Sequence, residues 1–319
     1  MPVGRFFLRL VDLLPVPGLR TQRVIAALVI LTQGGIAVTG AIVRITASGL
    51  GCPTWPRCFP GSFTPVAVSE VPRIHQAVEF GNRMITFAVV LTAILAVLTV
   101  TRARRRREIL VYAWLMPAST VLQAVLGGIT VLTGLLWWTV AIHLLVSMAM
   151  VWLAVLLYAK IGEPDRIGPA ALVVPKPLRW LTLLSALTLA AVLIAGTLVT
   201  AAGPHAGDTS ITRPVPRLQV QITTLVHLHS SLLIAYLSLV IGLGFALLAV
   251  RAGRPILTRL SVLVVLICAQ GLVGTVQYFN GVPAALVAVH VAGAAACTAA
   301  TAALWASMRQ RTEAQPVQG

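Results

Sequence analysis

Eight separate stretches of this chain are apolar enough to cross a bilayer, at approximately 24–43, 77–100, 109–133, 137–159, 180–202, 222–250, 260–279 and 284–308. A hydrocarbon core about 30 Å thick needs roughly 20 such residues per crossing. Backbone groups in lipid must be satisfied within a helix or a closed barrel, and these runs are continuous rather than alternating, so the reading is helical. The expected fold is an all-α polytopic membrane protein. Composition agrees: 58% of the 319 residues are hydrophobic and 10% are charged, which excludes a water-soluble domain of this length. The first span lacks a suitably placed small-residue cleavage site, so no cleavable signal peptide is expected.

A net charge of +16 invites a nucleic-acid partner, but the basic residues sit beside helix ends. With the N-terminus inside, Arg5, Arg9, Arg20, Arg23, Arg102, Arg104, Arg105, Arg106, Arg107, Lys160, Arg166, Lys176, Arg179, Arg251, Arg254, Arg259, Arg309 and Arg311 share the cytoplasmic side. Arg44, Arg57, Arg73, Arg213 and Arg217 fall outside, and Arg83 lies within a span. This asymmetry places both termini in the cytoplasm and assigns the charge to topology and anionic lipid, with no nucleic acid. A basic set that is arginine except at Lys160 and Lys176, with abundant Ala and Val, points to a GC-rich bacterial genome and hence a plasma membrane.

The spans form two copies of one unit. Gln123–Gly127 in the third span matches Gln270–Gly274 in the seventh, and each motif is followed 20 residues after its glutamine by a histidine, His143 or His290. The same offset of 147 residues carries Asn82 onto His229. Gly35–Thr39 echoes Gly196–Thr200 at an offset of 161, so the first external loop is 14 residues longer than its counterpart. An even number of spans per unit makes the repeat parallel. The expected organisation is two pseudo-symmetric four-helix bundles: residues 1–160, a cytoplasmic connector at 161–179, and residues 180–319.

Ionisable groups within a membrane are costly and normally face a partner or a ligand. His229 and His290 occupy spans that let them face each other across the second bundle, as the axial ligands of a b-type heme do. His227 is the rival, since two residues rotate a helix by about 200° and only one of the two can face a given heme. Repeat register favours His229. His205 reads as a turn residue of an external loop.

The first bundle breaks the symmetry. Its ligand slot holds Asn82, while His75, Glu79, Asn82 and Arg83 share one face of the second span. Glu79 and Arg83 read either as a buried ion pair or as a carboxylate that handles protons beside a bound heme. Cys52 and Cys58 lie in the first external loop, on the oxidising side, where a disulfide is the natural reading. Closing that loop would contribute roughly 2 kcal/mol. A structural staple, a redox-active pair and a metal site all remain open there. Cys268 and Cys297 read as small buried hydrophobes of spans seven and eight.

These residues together resemble the heme A synthase family over approximately residues 24–308. The resemblance rests on eight spans in two related halves, the Cys52/Cys58 loop, Glu79 and Arg83, the run Leu122–Gly127, and the histidines of spans four, six and eight. It implies oxidation of the C8 methyl of heme O to a formyl group by successive hydroxylations. It further implies heme b in the second bundle, on His229 and His290, and heme O as substrate in the first, near Glu79, Arg83 and His143. The family usually has histidine where this chain has Asn82, so the substrate heme is held either by His143 alone or with His75. A second cysteine pair, present in the third external loop of some members, is absent. Expected partners are lipid, heme O, the farnesyltransferase that makes it, and a second copy of the chain. A b-type cytochrome that only relays electrons and a non-enzymatic heme carrier or oxidase assembly factor are the alternatives.

Overall fold

The computed structural model describes residues 2–67, 70–165, 171–209 and 214–311. Arg166, Arg213 and part of the expected connector lie outside them, as does the side chain of Arg5. Nine helices are described: α1 (Pro2–Asp12), α2 (Leu19–Ile45), α3 (Arg73–Arg102), α4 (Arg107–Leu132), α5 (Trp137–Ile161), α6 (Lys176–Ala202), α7 (Ile222–Ala249), α8 (Arg254–Phe279) and α9 (Ala284–Ser307). Helices α2 to α9 are each long and apolar enough to cross a membrane. Their outward faces are apolar too, with Phe87, Ile234 and Val265 each about two-thirds exposed near mid-span. Such a surface is stable in lipid and not in water. The protein is a multi-pass membrane protein.

Helices α2, α3, α6 and α8 begin four to six residues before their apolar stretches, because helical hydrogen bonding continues through the flanking polar residues. This puts His75 in the first turn of α3. Two small elements were not anticipated from the sequence. Helix α1 buries Val11 and stacks Phe7 on Trp114 of α4 at 6.0 Å. A two-residue strand, β1 (Ala171–Leu172), pairs antiparallel with β2 (Arg309–Gln310).

Within each half the four spans close a ring: α2–α3–α4–α5 and α6–α7–α8–α9. The halves meet through α5 against α9, flanked by α2 against α9 and α5 against α6, as a pseudo-twofold relation requires. The repeat survives in the backbone of the turns. Arg104 and Arg251, Gly134 and Gly281, and Leu135 and Val282 each pair at the 147-residue offset with positive φ. Each of these helix ends is closed by an N–H reaching five residues back: Arg105 to Val100, Ala252 to Leu247, Leu135 to Thr130 and Val282 to Gln277. This Schellman closure satisfies carbonyls that would otherwise be orphaned at the membrane boundary, and it outweighs the cost of about 1–2 kcal/mol for a non-glycine residue in the left-handed region.

The tight apolar cores lie toward the basic end of each bundle, around Ala93, Val100, Ile109 and Leu157 in the first half and Leu243, Leu247, Leu263 and Leu304 in the second. The histidines occupy the opposite ends of the helices. Cys297 is buried as expected, but Cys268 lies on the exposed surface of α8.

Candidate functional site

In the second half, His229 of α7 and His290 of α9 face each other with ring centroids 6.1 Å apart. They border a cavity that also touches Val192, Tyr236, Gln270 and Cys297. His229 Nδ1 lies 3.0 Å from the Val192 carbonyl. A carbonyl only accepts, so Nδ1 carries the proton and the Nε2 lone pair is left for a ligand. His290 Nδ1 is buried with no hydrogen-bond partner. Both rings rest on glycines: a Cβ at Gly196 would stand 3.1 Å from His229 Cε1, and one at Gly274 would stand 3.2 Å from His290 Cε1. Gln270 Nε2 donates to the His290 carbonyl at 2.9 Å and braces the backbone of α9 behind its ring.

A metal about 2 Å from one nitrogen of each imidazole fits this separation. Among the described residues no three His, Cys, Asp or Glu side chains converge, so this site brings together two imidazole donors. His227 is exposed on another face of α7 and is not brought to His290. His205 ties loops together, with Nε2 2.8 Å from the Val282 carbonyl.

The first half repeats half of this arrangement. His143 of α5 rests on Gly127, where a Cβ would stand 3.1 Å from its Cε1. Gln123 Nε2 donates to the His143 carbonyl at 3.4 Å and to Ser147 Oγ at 2.7 Å, repeating the brace seen at Gln270. Asn82 accepts a hydrogen bond from Thr39 Oγ1 at 2.7 Å. Gly35, the counterpart of Gly196, has nothing within 4 Å of where a Cβ would stand, so open space lies where the second half has the His229 ring. His75 is held away, its Nδ1 3.0 Å from Ser48 Oγ.

Glu79 is buried, and both its oxygens are engaged. Oε2 accepts from the Cys52 amide at 2.7 Å, and Oε1 pairs with Arg83 at 2.8 Å. Arg83 reaches the carbonyls of Cys52 at 3.0 Å, Thr54 at 3.1 Å and Arg57 at 3.3 Å. The ion pair therefore pins the loop closed by the Cys52–Cys58 disulfide onto α3. That loop lays Trp55 against Gly128, whose Cβ would stand 2.6 Å from the indole, one residue from the glycine that carries His143. Trp55 and the glycine cradles were not expected from the sequence, because they depend on which helices pack together. The recurring Gly35/Gly196 and Gly127/Gly274 pairs were the available signal.

A roomier cleft lies at the basic end, between Leu19, Arg20, Arg23, Val24, Ala27 and Tyr158. It contains no histidine and lies at the opposite end of the helices from the three glycine–imidazole contacts.

Residues 23–232 match the model of the COX15-CtaA family, described as cytochrome oxidase assembly protein. The curated relatives include proteins named heme A synthase from Geobacillus thermodenitrificans, 31% identical over 101 residues, and from Geobacillus kaustophilus, 32% identical over 101 residues. Each alignment covers 31% of this chain and 30% of the relative. A heme A synthase from Lysinibacillus sphaericus is 32% identical over 115 residues, 35% of this chain and 36% of its own. The chain thus aligns with about a third of the length of these relatives.

Proposed function

The chain belongs to the cytochrome oxidase assembly protein family, and from that premise we propose that it is a heme A synthase, an oxidoreductase that converts the C8 methyl of heme O to a formyl group. The facing pair His229 and His290, with glycines shaped to their rings and a buried nitrogen lacking a partner, is the observation that carries the reading. In this reading a heme b bound between them supplies one-electron transfer out of the first site. His229 and His290 would hold that cofactor, and the apolar residues around them would keep water from it.

The first half binds heme O as substrate through His143. Asn82 is a neutral amide and a poor iron ligand, which leaves one axial face of the substrate without a strong protein donor. Glu79 lies three residues from Asn82 on α3 and is the carboxylate placed to take up protons released at the methyl. Arg83 and the disulfide loop would close that end of the bundle over a substrate held by His143. This part of the reading rests on the Glu79, Arg83 and Cys52 contacts. Both termini are assigned to the cytoplasm by the arginine distribution, which puts the two histidine sites toward the outer leaflet. Heme O would arrive from the farnesyltransferase that forms it, and a homo-oligomer is compatible with the exposed apolar faces.

Membranes containing the protein, supplied with heme O and an electron acceptor, test this directly by mass analysis of extracted hemes. Formation of heme A in the wild type and its loss in His143→Ala are expected. Unaltered heme O in the wild type, alongside a reducible low-spin heme, would favour the electron-relay cytochrome.

A further inference from the structure

Two arginines converge at the outer rim of the second half where no acid answers them. Arg44, near the end of α2, donates from Nε to the His205 carbonyl at 2.8 Å and from Nη2 to the Thr200 carbonyl at 2.9 Å. Arg217, in the segment leading into α7, donates to the same Thr200 carbonyl at 3.3 Å and to the Gly203 carbonyl. Among the described residues, neither arginine has a carboxylate within ion-pair distance. Arg217 Nη1 is buried and has no hydrogen-bond partner. Burial also pushes the Arg217 guanidinium below its ordinary pKa.

A guanidinium carries five donors, and the carbonyls use only some of them. Two cations sharing one acceptor, with a buried donor unused, are destabilising until an anion completes the set. The carbonyl end of α6 orients both groups, since a helix C-terminus attracts positive charge.

Their position identifies the anion. Thr200 lies one turn beyond Gly196, the residue that cradles the His229 ring, a rise of about 6 Å. A heme held between His229 and His290 carries two propionate carboxylates on one edge, and carboxylates match the guanidinium fork. We propose that Arg44 and Arg217 form a carboxylate clamp for the propionate edge of the heme in the second half. The clamp rests on the heme reading of that half. Because Arg44 belongs to the first half, the second site is complete only when the two halves are docked.

Full-length protein depleted of heme and titrated with hemin or with hemin dimethyl ester tests the clamp, read by the low-spin absorption spectrum. Wild type is expected to bind the free acid about tenfold or more tightly than the ester. R217Q and R44Q should each erase most of that preference and leave ester binding within about twofold. R217K, which keeps the charge without the fork, should fall between. Should a glutamine variant melt early, the lysine variant and the wild-type acid-to-ester ratio still decide. Equal wild-type affinities for acid and ester, or full preference in folded R217Q, would overturn the clamp. A control separates this failure from that of the heme site: a wild-type low-spin spectrum that vanishes in His290→Ala supports the site whatever the ester does. Absence of that spectrum in wild type would remove both.

Discussion

The imidazole of His229 is fixed twice, at Nδ1 by the Val192 carbonyl and across its edge by Gly196. A ligand so oriented loses little freedom on binding iron, and its Nε2 is already unprotonated. His229→Ala or His290→Ala should therefore remove the low-spin heme signal from protein that still inserts, whereas His227→Ala should leave it intact. Loss of the signal in His227→Ala alone would mean the ligand lies two residues earlier. The cradles make a sharper demand. Gly196→Ala and Gly274→Ala each place a methyl 3.1–3.2 Å from a ring carbon, and repacking of this kind costs roughly 1–3 kcal/mol. Heme retained after dilution should fall about five- to a hundredfold in either variant, and unchanged retention would show that the rings move without consequence. In the first half, the open space at Gly35 leaves room for the missing ring. Asn82→His should shift the first site toward a six-coordinate, low-spin spectrum and slow turnover. An unchanged spin state would show that the repeat misplaces the substrate site. That His229, and not His227, faces His290 was legible in the sequence because it follows from the 147-residue register. The glycine contacts were not, because they join residues far apart on different helices.

The element that most distinguishes the two halves is the loop after α2. Its position depends on α3: Glu79 accepts the Cys52 amide while Arg83 gathers three loop carbonyls. An unpaired buried charge is more costly than the pair, so each partner secures the other. Glu79→Gln should keep the amide contact and heme O binding but form little heme A, as pigment extraction would report. Normal heme A in that variant would remove Glu79 from the chemistry and leave it as an anchor of the loop. The sequence showed that Glu79 and Arg83 share a helix face and that the cysteines belong together. It could not show that the two features are one assembly, since nothing local specifies how a loop folds back on its neighbouring helix. The residues of α1 likewise gave no signal of their own, because its role depends on Phe7 meeting Trp114 of α4 and on Asp12 pairing with Arg104 in the turn between α3 and α4.

At the scale of the whole molecule, the two halves repeat the helix order and the backbone of the turns and differ in the residues that face their interiors. The eight spans and the repeat were legible because lipid imposes a length and a composition on every crossing. The ring closure of each half and the α5–α9 contact between them needed coordinates, as helix packing in a membrane is decided by shape and not by hydrophobicity. We propose a bis-histidine heme b in the second half and a single-histidine site for heme O in the first. Mass-resolved extraction of the hemes from purified wild type, His143→Ala and His290→Ala tests that claim most directly. Heme B with heme O and heme A is expected in wild type, heme B alone in His143→Ala, and depletion of heme B in His290→Ala. Heme B alone in the wild type, lost equally in both variants, would contradict it.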